Sequence, residues 1–281
     1  MPNLDMGGKC APGVKLWVEP FKDKKTGQAV GPNAINPKYN TPKCEFSTRL
    51  VRVDESYLDG RYIPTWVGGH PALGESLAEE LIARHVAELT TIPGMEPIDS
   101  FQGQVMIGEH TRADFMLTPS SSSGKKRIVE VKTVVDTDYC ASWTLPENLK
   151  CLFTSPNQPY QRTALFPWGQ SKQKGPDGET VVSTRAIKHV RELTQLVQRH
   201  EFEATILFIV IRGDAEKFQP NFEACPSFAR YLKEAQDGGV QLLAKRVKWD
   251  EMDTTSTTGT TKCCYDDKWL DIEFPTEKKA Y

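Results

Sequence analysis

Apolar residues recur at helical spacing in three segments of the chain and alternate, or run almost unbroken, in several others. Leu73, Leu77, Leu81, Ile82, Val86 and Leu89 lie three or four apart with Glu and Arg between them, which predicts a helix over Gly74–Leu89 ended by Pro93-Gly94. Ile187, Val190, Thr194 and Val197 repeat the pattern over Ser183–His200, with Leu193 and Leu196 beside them. Ser227–Gln236 reads as a third helix, closed by Gly238-Gly239. Ala204–Ile211 is apolar nearly throughout, as a central strand covered on both faces requires. Gln104–Ile107, Arg112–Leu117, Arg127–Val135 and Val240–Val247 read as further strands, with Ser120–Gly124 a polar hairpin loop. Near the start, Val14–Val18 and Ser47–Asp54 are strand candidates among turn signals, and a stretch from Leu58 to Gly69 leads into the first helix.

From residue 70 the order is helix, three strands, helix, strand, helix, strand. This predicts an α/β fold: a mixed sheet flanked by helices over residues 67–250, preceded by a β region over 1–66. Residues 136–180, punctuated by prolines from Pro146 to Pro176, read as a long irregular insertion or lid. The C-terminal tail, 251–281, is polar and Thr-rich, with an edge strand expected at Trp269–Phe274.

Composition narrows the class. The chain has 281 residues, 38% hydrophobic and 26% charged, which excludes a disordered, collagenous or coiled-coil protein. The longest apolar run, Ile206–Ile211, is far too short to cross a bilayer as a helix, so no membrane partner is expected. No secretory or transit signal is visible at MPNLDMGG, so the expected location is cytoplasmic. The net charge of −2 excludes a wholly basic nucleic-acid coat but not a local basic face. The seven cysteines are scattered without a C-x-x-C pair, which argues for reduced thiols rather than a zinc ribbon.

Candidate chemistry concentrates in two strands. Asp114 sits among apolar neighbours in Arg112–Leu117, where a lone carboxylate is costly. Glu130 and Lys132, two apart on the next strand, project from one face. A hairpin brings the three together. Two carboxylates at about 4 Å repel by roughly 4 kcal/mol at an effective dielectric of about 20. A divalent cation reverses that sign: Mg²⁺ takes one or two carboxylates together with waters and phosphate oxygens. A lysine beside it orients water and stabilises phosphate charge. The competing reading is an ordinary alternating strand in which Val129 and Val131 face the core and Glu130 and Lys132 face water. Glu80 borders the buried stripe of the first helix and is either a further site acid or a solvated partner of Arg84. Arg185, Lys188, His189 and Arg191 share one helix as phosphate contacts or as a solvated basic face, with His189 either a phosphate ligand or a satisfied structural histidine. Trp143, Tyr160 and Trp168 either stack on bases or pack the insertion onto the domain.

Several blocks resemble one known family. Arg112-Ala-Asp114-Phe-Met-Leu is similar to its S-R-x-D-F-x-L strand, and Val129-Glu130-Val131-Lys132-Thr133-Val134 to its V-E-V-K-S-V strand. Thr184-Arg185-Ala-Ile-Lys188-His189-Val-Arg191-Glu192-Leu193 is similar to its T-x-R-G-x-K-H-L-x-E-L helix. Asn36-Pro37-Lys38 and the Pro2-Asn3 entry add to the match, which runs in order along nearly the whole chain. The family is the sugar fermentation stimulation protein A family. The resemblance implies a restriction-endonuclease-like domain joined to an OB-like barrel, here only partial because the family's chains extend upstream of the entry motif. It implies DNA binding, a PD-(D/E)XK-type pattern of Glu80, Asp114, Glu130 and Lys132 around Mg²⁺ or Mn²⁺, and nucleic-acid contacts at Arg112, Arg185, Lys188 and His189. It also marks the insertion as an expansion of a short family link, with Phe166-Pro167 its remnant.

Three functional readings follow from the sequence. The first is a nucleic-acid-binding protein, with DNA before RNA as partner, that acts as a Mg²⁺-dependent endonuclease. The second is a non-catalytic DNA-binding regulator of sugar metabolism on the same scaffold. The third is a protein-interaction module using the insertion.

Overall fold

A computed structural model describes residues 13–23, 25–56, 62–70, 72–107, 111–122, 124–138, 161–169, 172–249 and 263–274. The Pro2-Asn3 entry, Cys10, Cys140, Trp143, Cys151, Tyr160 and residues 251–262 of the tail lie outside the described residues.

The N-terminal β region holds β1 (Leu16–Pro20), the two-residue ladder of β2 (Ile35–Asn36) and β3 (Thr41–Pro42), β4 (Phe46–Ser56) and β5 (Tyr62–Gly68). β1, β4 and β5 pair antiparallel in that order, with Leu16 opposite Val51 and Arg52 opposite Trp66. Val51, Val53 and Val67 are buried on one face, whereas Leu16, Val18 and Phe46 remain exposed. The stretch Leu58–Gly69, expected as a connection into the first helix, carries strand β5 in its second half. Pro64 hides the alternation there, and on this outer strand it costs no ladder bond.

The chain continues through α1 (Leu73–Val86), β6 (Ile98–Ile107), β7 (Thr111–Pro119), β8 (Arg127–Val134), β9 (Thr163–Phe166), β10 (Gln173–Lys174) and β11 (Thr180–Val181). It ends with α2 (Thr184–Gln198), β12 (Glu203–Val210), β13 (Lys217–Pro220), α3 (Pro226–Asp237), β14 (Gln241–Trp249) and β15 (Cys263–Trp269). Among the described residues, six strands form one mixed sheet in the order β15-β14-β12-β8-β7-β6. β8, β12 and β14 are mutually parallel at its centre, and β6, β7 and β15 join antiparallel at the flanks. Parallel neighbours need crossovers, which α2 and α3 supply.

Helices cover both faces, as the unbroken apolarity of β12 requires. On one face Leu77, Leu81 and Ile82 of α1 pack on Val129, Val131, Leu207 and Ile209. On the other, Ile187, Val190, Phe228 and Leu232 of α2 and α3 pack on Ile128, Ile206 and Phe208. Alternate residues of β8 and β12 thus feed opposite cores. The helix ends follow local chemistry. Ser183 caps α2 by accepting the Ala186 N–H at 3.2 Å, and Pro226 opens α3. Gly239, at φ +94°, turns the chain away after α3.

Two expectations are corrected here. The edge strand is Cys263–Trp269 rather than Trp269–Phe274, with only an isolated bridge from Ile272 to Phe218 beyond it. Asp266-Asp267-Lys268 shows no apolar alternation, and an edge strand needs none. The 136–180 segment is not irregular throughout. Thr163, Ala164 and Leu165 of β9 are buried and pair in parallel with β13, and Phe166 packs against Phe228 with centroids 5.3 Å apart. Trp168 just beyond is half-buried.

The N-terminal sheet meets the central one just past the end of β12, where Val67 of β5 bridges Arg212. Ile211 O, at the end of β12, accepts the Gly68 N–H at 2.8 Å and Trp249 Nε1–H at 3.1 Å. A Cβ on Gly68 would lie 2.6 Å from Ile211 Cδ1 and 3.0 Å from its Cβ, so a larger residue would force the Ile211 side chain to move. Beside it, Arg212 grips Asp214 with two donors at 2.6 and 2.7 Å, and Arg162 approaches the same carboxylate at 3.5 Å. The Arg162 side chain is 2% exposed and that of Asp214 5%. Burial alone would raise the Asp214 carboxyl, but Arg212 and Arg162 outweigh it and hold it below the usual range.

Removing one partner of such a group strands the others. Asp214→Ala is therefore expected to cost about 3–5 kcal/mol of stability, measured by urea unfolding at neutral pH. A folded pKa below the unfolded value gives stability that is present above about pH 4 and is lost as pH falls through the folded value. The wild type should show that acid limb and Asp214→Ala should show less of it.

Candidate functional site

The site opens where β7 leaves β8. The two strands pair from Leu117–Arg127 to Phe115–Val129, and their register ends there. At the next position Asp114 Oδ2 accepts the Val131 N–H at 2.8 Å, so a carboxylate takes a main-chain donor that a continued ladder would have used. On the far side of β7, Gln104 lies between the Gly103–Phe115 and Val105–Ala113 pairs, level with Asp114, at φ +57°. A left-handed backbone at a non-glycine strand residue costs about 1 kcal/mol or more. The Gln104 side-chain amide donates to Glu75 Oε1.

Glu130 and Lys132 stand opposite Ile206 and Phe208 of β12, so both project toward the α2 side of the sheet. Glu130 is only 5% exposed, which removes the reading of a strand face turned to water. Its Oε1 accepts from both Lys132 Nζ and His189 Nδ1. Burial works to raise the Glu130 carboxyl, but the hydrogen bonds and charges of His189 and Lys132 win and hold it below the usual range. Asp114 goes the other way. Burial first, and then the Glu130 charge, push it above the usual carboxylate range against the Val131 N–H and Lys132. Among the described residues, no hydrogen bond reaches Asp114 Oδ1 or Glu130 Oε2.

Glu75, Asp114, Glu130, Val131, Lys132, Thr133 and Arg185 line a common cavity of about 230 Å³. Two main-sheet acids, one ammonium and the α2 guanidinium expected from sequence are thus brought together. His189 is held against Glu130 rather than facing open solvent. Lys188 does not line the cavity; it is exposed and sits 3.5 Å from Glu192. Arg112 is likewise exposed and outside the lining.

The helix acid is a correction. Glu80 is exposed on α1 and absent from the cavity wall, where Glu75 stands instead. Five helical residues turn the side chain by about 140° and shift it about 7.5 Å along the axis, so Glu75 and Glu80 cannot serve the same point. Gly74 explains which of them is brought in. A Cβ there would lie 2.0 Å from Thr133 Oγ1, so the glycine lets the first turn of α1 press against β8. A glycine inside an otherwise strong helix pattern is the signal that reading missed.

Two carboxylates with accessible oxygens can share a divalent cation, with water or a phosphate completing its shell. Among the described residues no group of three or more His, Cys, Asp and Glu side chains forms a ready cage. Such a carboxylate pair suits a hard divalent cation that keeps part of its shell for water.

Comparison with known proteins places this geometry in context. Residues 176–253 match the family model described as the sugar fermentation stimulation protein RE domain. A sugar fermentation stimulation protein homolog of Maricaulis maris is 32% identical over 240 residues, covering 85% of this chain and 74% of its own. A homolog from Cyanothece is 28% identical over 205 residues, covering 73% of this chain and 65% of its own. The chain therefore spans slightly less than two thirds of that relative. A solved Pyrococcus furiosus SfsA in complex with Ca²⁺ aligns over 80% of this chain and 78% of its own, at 21% identity and a TM-score of 0.49.

Because the Glu130 charge is one cause of the raised Asp114 value, Glu130→Gln should lower the Asp114 pKa while burial retains part of the rise. An NMR titration of the aspartate carboxyl carbons reads this directly. An unchanged Asp114 value would mean that the two carboxyls do not face each other across the wedge.

Proposed function

The chain belongs to the sugar fermentation stimulation protein family, and we propose that it is a nucleic-acid-binding protein with a metal-dependent phosphodiester site at Asp114, Glu130 and Lys132. On this reading the central sheet with its helices is a restriction-endonuclease-like domain, the N-terminal sheet is a partial OB-like region, and the site is of the PD-(D/E)XK type. The observation that carries the reading is the wedge itself: a buried and a half-buried carboxylate beside a lysine, at the point where two strands part.

Asp114 and Glu130 would hold Mg²⁺ or Mn²⁺. A bound ion supplies charge against the scissile phosphate and a more acidic water. Lys132 lies beside Glu130 on the cavity wall and serves to orient water and offset phosphate charge. His189 positions Glu130. Arg185 on the same wall supplies a phosphate contact that positions the strand without reading its sequence. Glu75 takes the supporting role expected of Glu80. DNA is the proposed substrate, and RNA is distinguished by the same assay.

Purified protein is expected to cut labelled DNA when Mg²⁺ or Mn²⁺ is added and to stop when the ion is chelated. Asp114→Ala should lower the rate about a hundredfold or more, Glu75→Ala about tenfold to a hundredfold, and Glu80→Ala should leave it unchanged. Salt-sensitive binding without metal-dependent cutting would overturn the catalytic part and leave a binding regulator. Loss of cutting in Glu80→Ala with none in Glu75→Ala would reverse the assignment of the helix acid.

A further inference from the structure

A second cavity, of about 490 Å³, lies where the N-terminal sheet meets the ends of β12 and β14. Arg52 and Trp66 contribute to it from directly opposed positions on β4 and β5, so they share one face of that sheet. Arg246, Lys248 and Trp249 enter from β14. The walls are held in place. Trp249 Nε1 is bonded to Ile211 O, which also takes the Gly68 N–H, and Arg246 Nη1 donates to Ala215 O at 2.9 Å. A Cβ on Gly213 would lie 3.0 to 3.3 Å from the stem and backbone of Lys248, so the bare glycine sits close against that lysine.

The charge of this cleft is positive in effect. Asp214 lines it, but its carboxylate is already engaged by Arg212 and Arg162. The lining thus sets three cations, Arg52, Arg246 and Lys248, against Glu216 and this already engaged aspartate. Two indole rings among three cations are the pairing that a nucleotide recognises. Bases stack on flat π faces, and the linked phosphates take the cations. An acidic peptide would need the cations but not the indoles, and an apolar ligand the reverse.

The cleft also lies on the same side of the sheet edge as the wedge. β8, β12 and β14 are parallel, so Lys132–Val134, Val210–Asp214 and Arg246–Trp249 all end at one edge. Glu130 is level with Leu242, four residues before Arg246, so two strand spacings of about 4.8 Å and about 13 Å along the strands separate the wedge from the cleft by about 16 Å. A strand of a few nucleotides covers that span.

We propose that the cleft holds bases of a single-stranded nucleic acid, stacked on Trp66 and Trp249 with phosphates on Arg52, Arg246 and Lys248, and that the same strand continues into the Asp114–Glu130 wedge. This inference rests on the nucleic-acid reading above and adds to it where the substrate is held and in what form.

Anisotropy of a fluorescein-labelled oligothymidylate, with the full chain in EDTA, tests it. Trp66→Ala should weaken binding about tenfold or more, and Trp66→Phe should restore most of the loss because the ring remains. Lys248→Ala, at an exposed position, should weaken binding and lower the salt slope by about one, with the thermal midpoint unchanged. If the wild type binds and these variants bind equally well, the cleft assignment is overturned, while metal-dependent cutting by the same variants would keep the wedge reading intact. If the variants lose binding but no preparation cuts with Mg²⁺ or Mn²⁺, the cleft stands and the wedge reading fails. Thymidine monophosphate displacing the oligomer at equal affinity would overturn the strand assignment in favour of a mononucleotide pocket.

Discussion

Everything at the site depends on holding two carboxylates side by side on one cavity wall, one buried and the other half-buried. Asp114 and Glu130 face one cavity at the parting of β7 and β8, and each is stabilised by a different means. Glu130 receives a lysine and a histidine, and its charge is secured. Asp114 receives one main-chain N–H, and its charge is opposed by burial and by Glu130. The asymmetry is the chemical content of the wedge: one acid is firmly ionised and its neighbour is short of positive charge. Structural ion pairs seldom leave such a deficit, because an unneutralised buried charge is expensive.

The rest of the fold brings this arrangement about through close backbone approach. Where β7 turns from β8, an Asp side chain replaces a carbonyl as acceptor, and Gln104 on the next strand takes a strained conformation at the same level. Gly74 lets α1 touch Thr133, which sets Glu75 on the cavity wall. Gly68 lets β5 meet Ile211, which fixes the N-terminal sheet against the ends of β12 and β14. At both glycines a single added carbon would meet an atom at 2.6 Å or less. Positions chosen for side-chain absence are therefore as decisive as the acids themselves.

This explains what was legible in the sequence. Periodicity located α1, α2, α3 and the central strands, because buried elements must repeat at 3.6 or run apolar. The Asp114 and Glu130-x-Lys132 pattern was readable because an acid inside an apolar strand has no cheap alternative. Tertiary contacts were not. Glu75 and Glu80 are equivalent by composition, and only the contact between Gly74 and Thr133 separates them. Whether His189 is a structural histidine or a phosphate ligand stays open in the sequence, since the carboxylate it meets is fifty-nine residues away. β9 and β5 were missed for a related reason: short strands interrupted or followed by proline carry too little alternation, and their burial comes from partners distant in sequence.

Placing the chemistry where a flanking strand parts from the parallel centre follows from the same constraint. Where the ladders run unbroken, main-chain donors and acceptors pair with each other and helices cover both faces, which leaves little for a ligand. At the edge the ladders end and the side chains of β8, β12 and β14 emerge together. Antiparallel β7, entering against that direction, has to leave its neighbour at the same edge, and its departure creates room for Asp114. The N-terminal sheet closes over the other end of this edge through Ile211, producing a second recess beside the first. The parallel centre of the sheet thus supplies rigidity, its terminating edge supplies the polar groups, and the two recesses are consequences of how the flanking strands and the N-terminal sheet meet that edge.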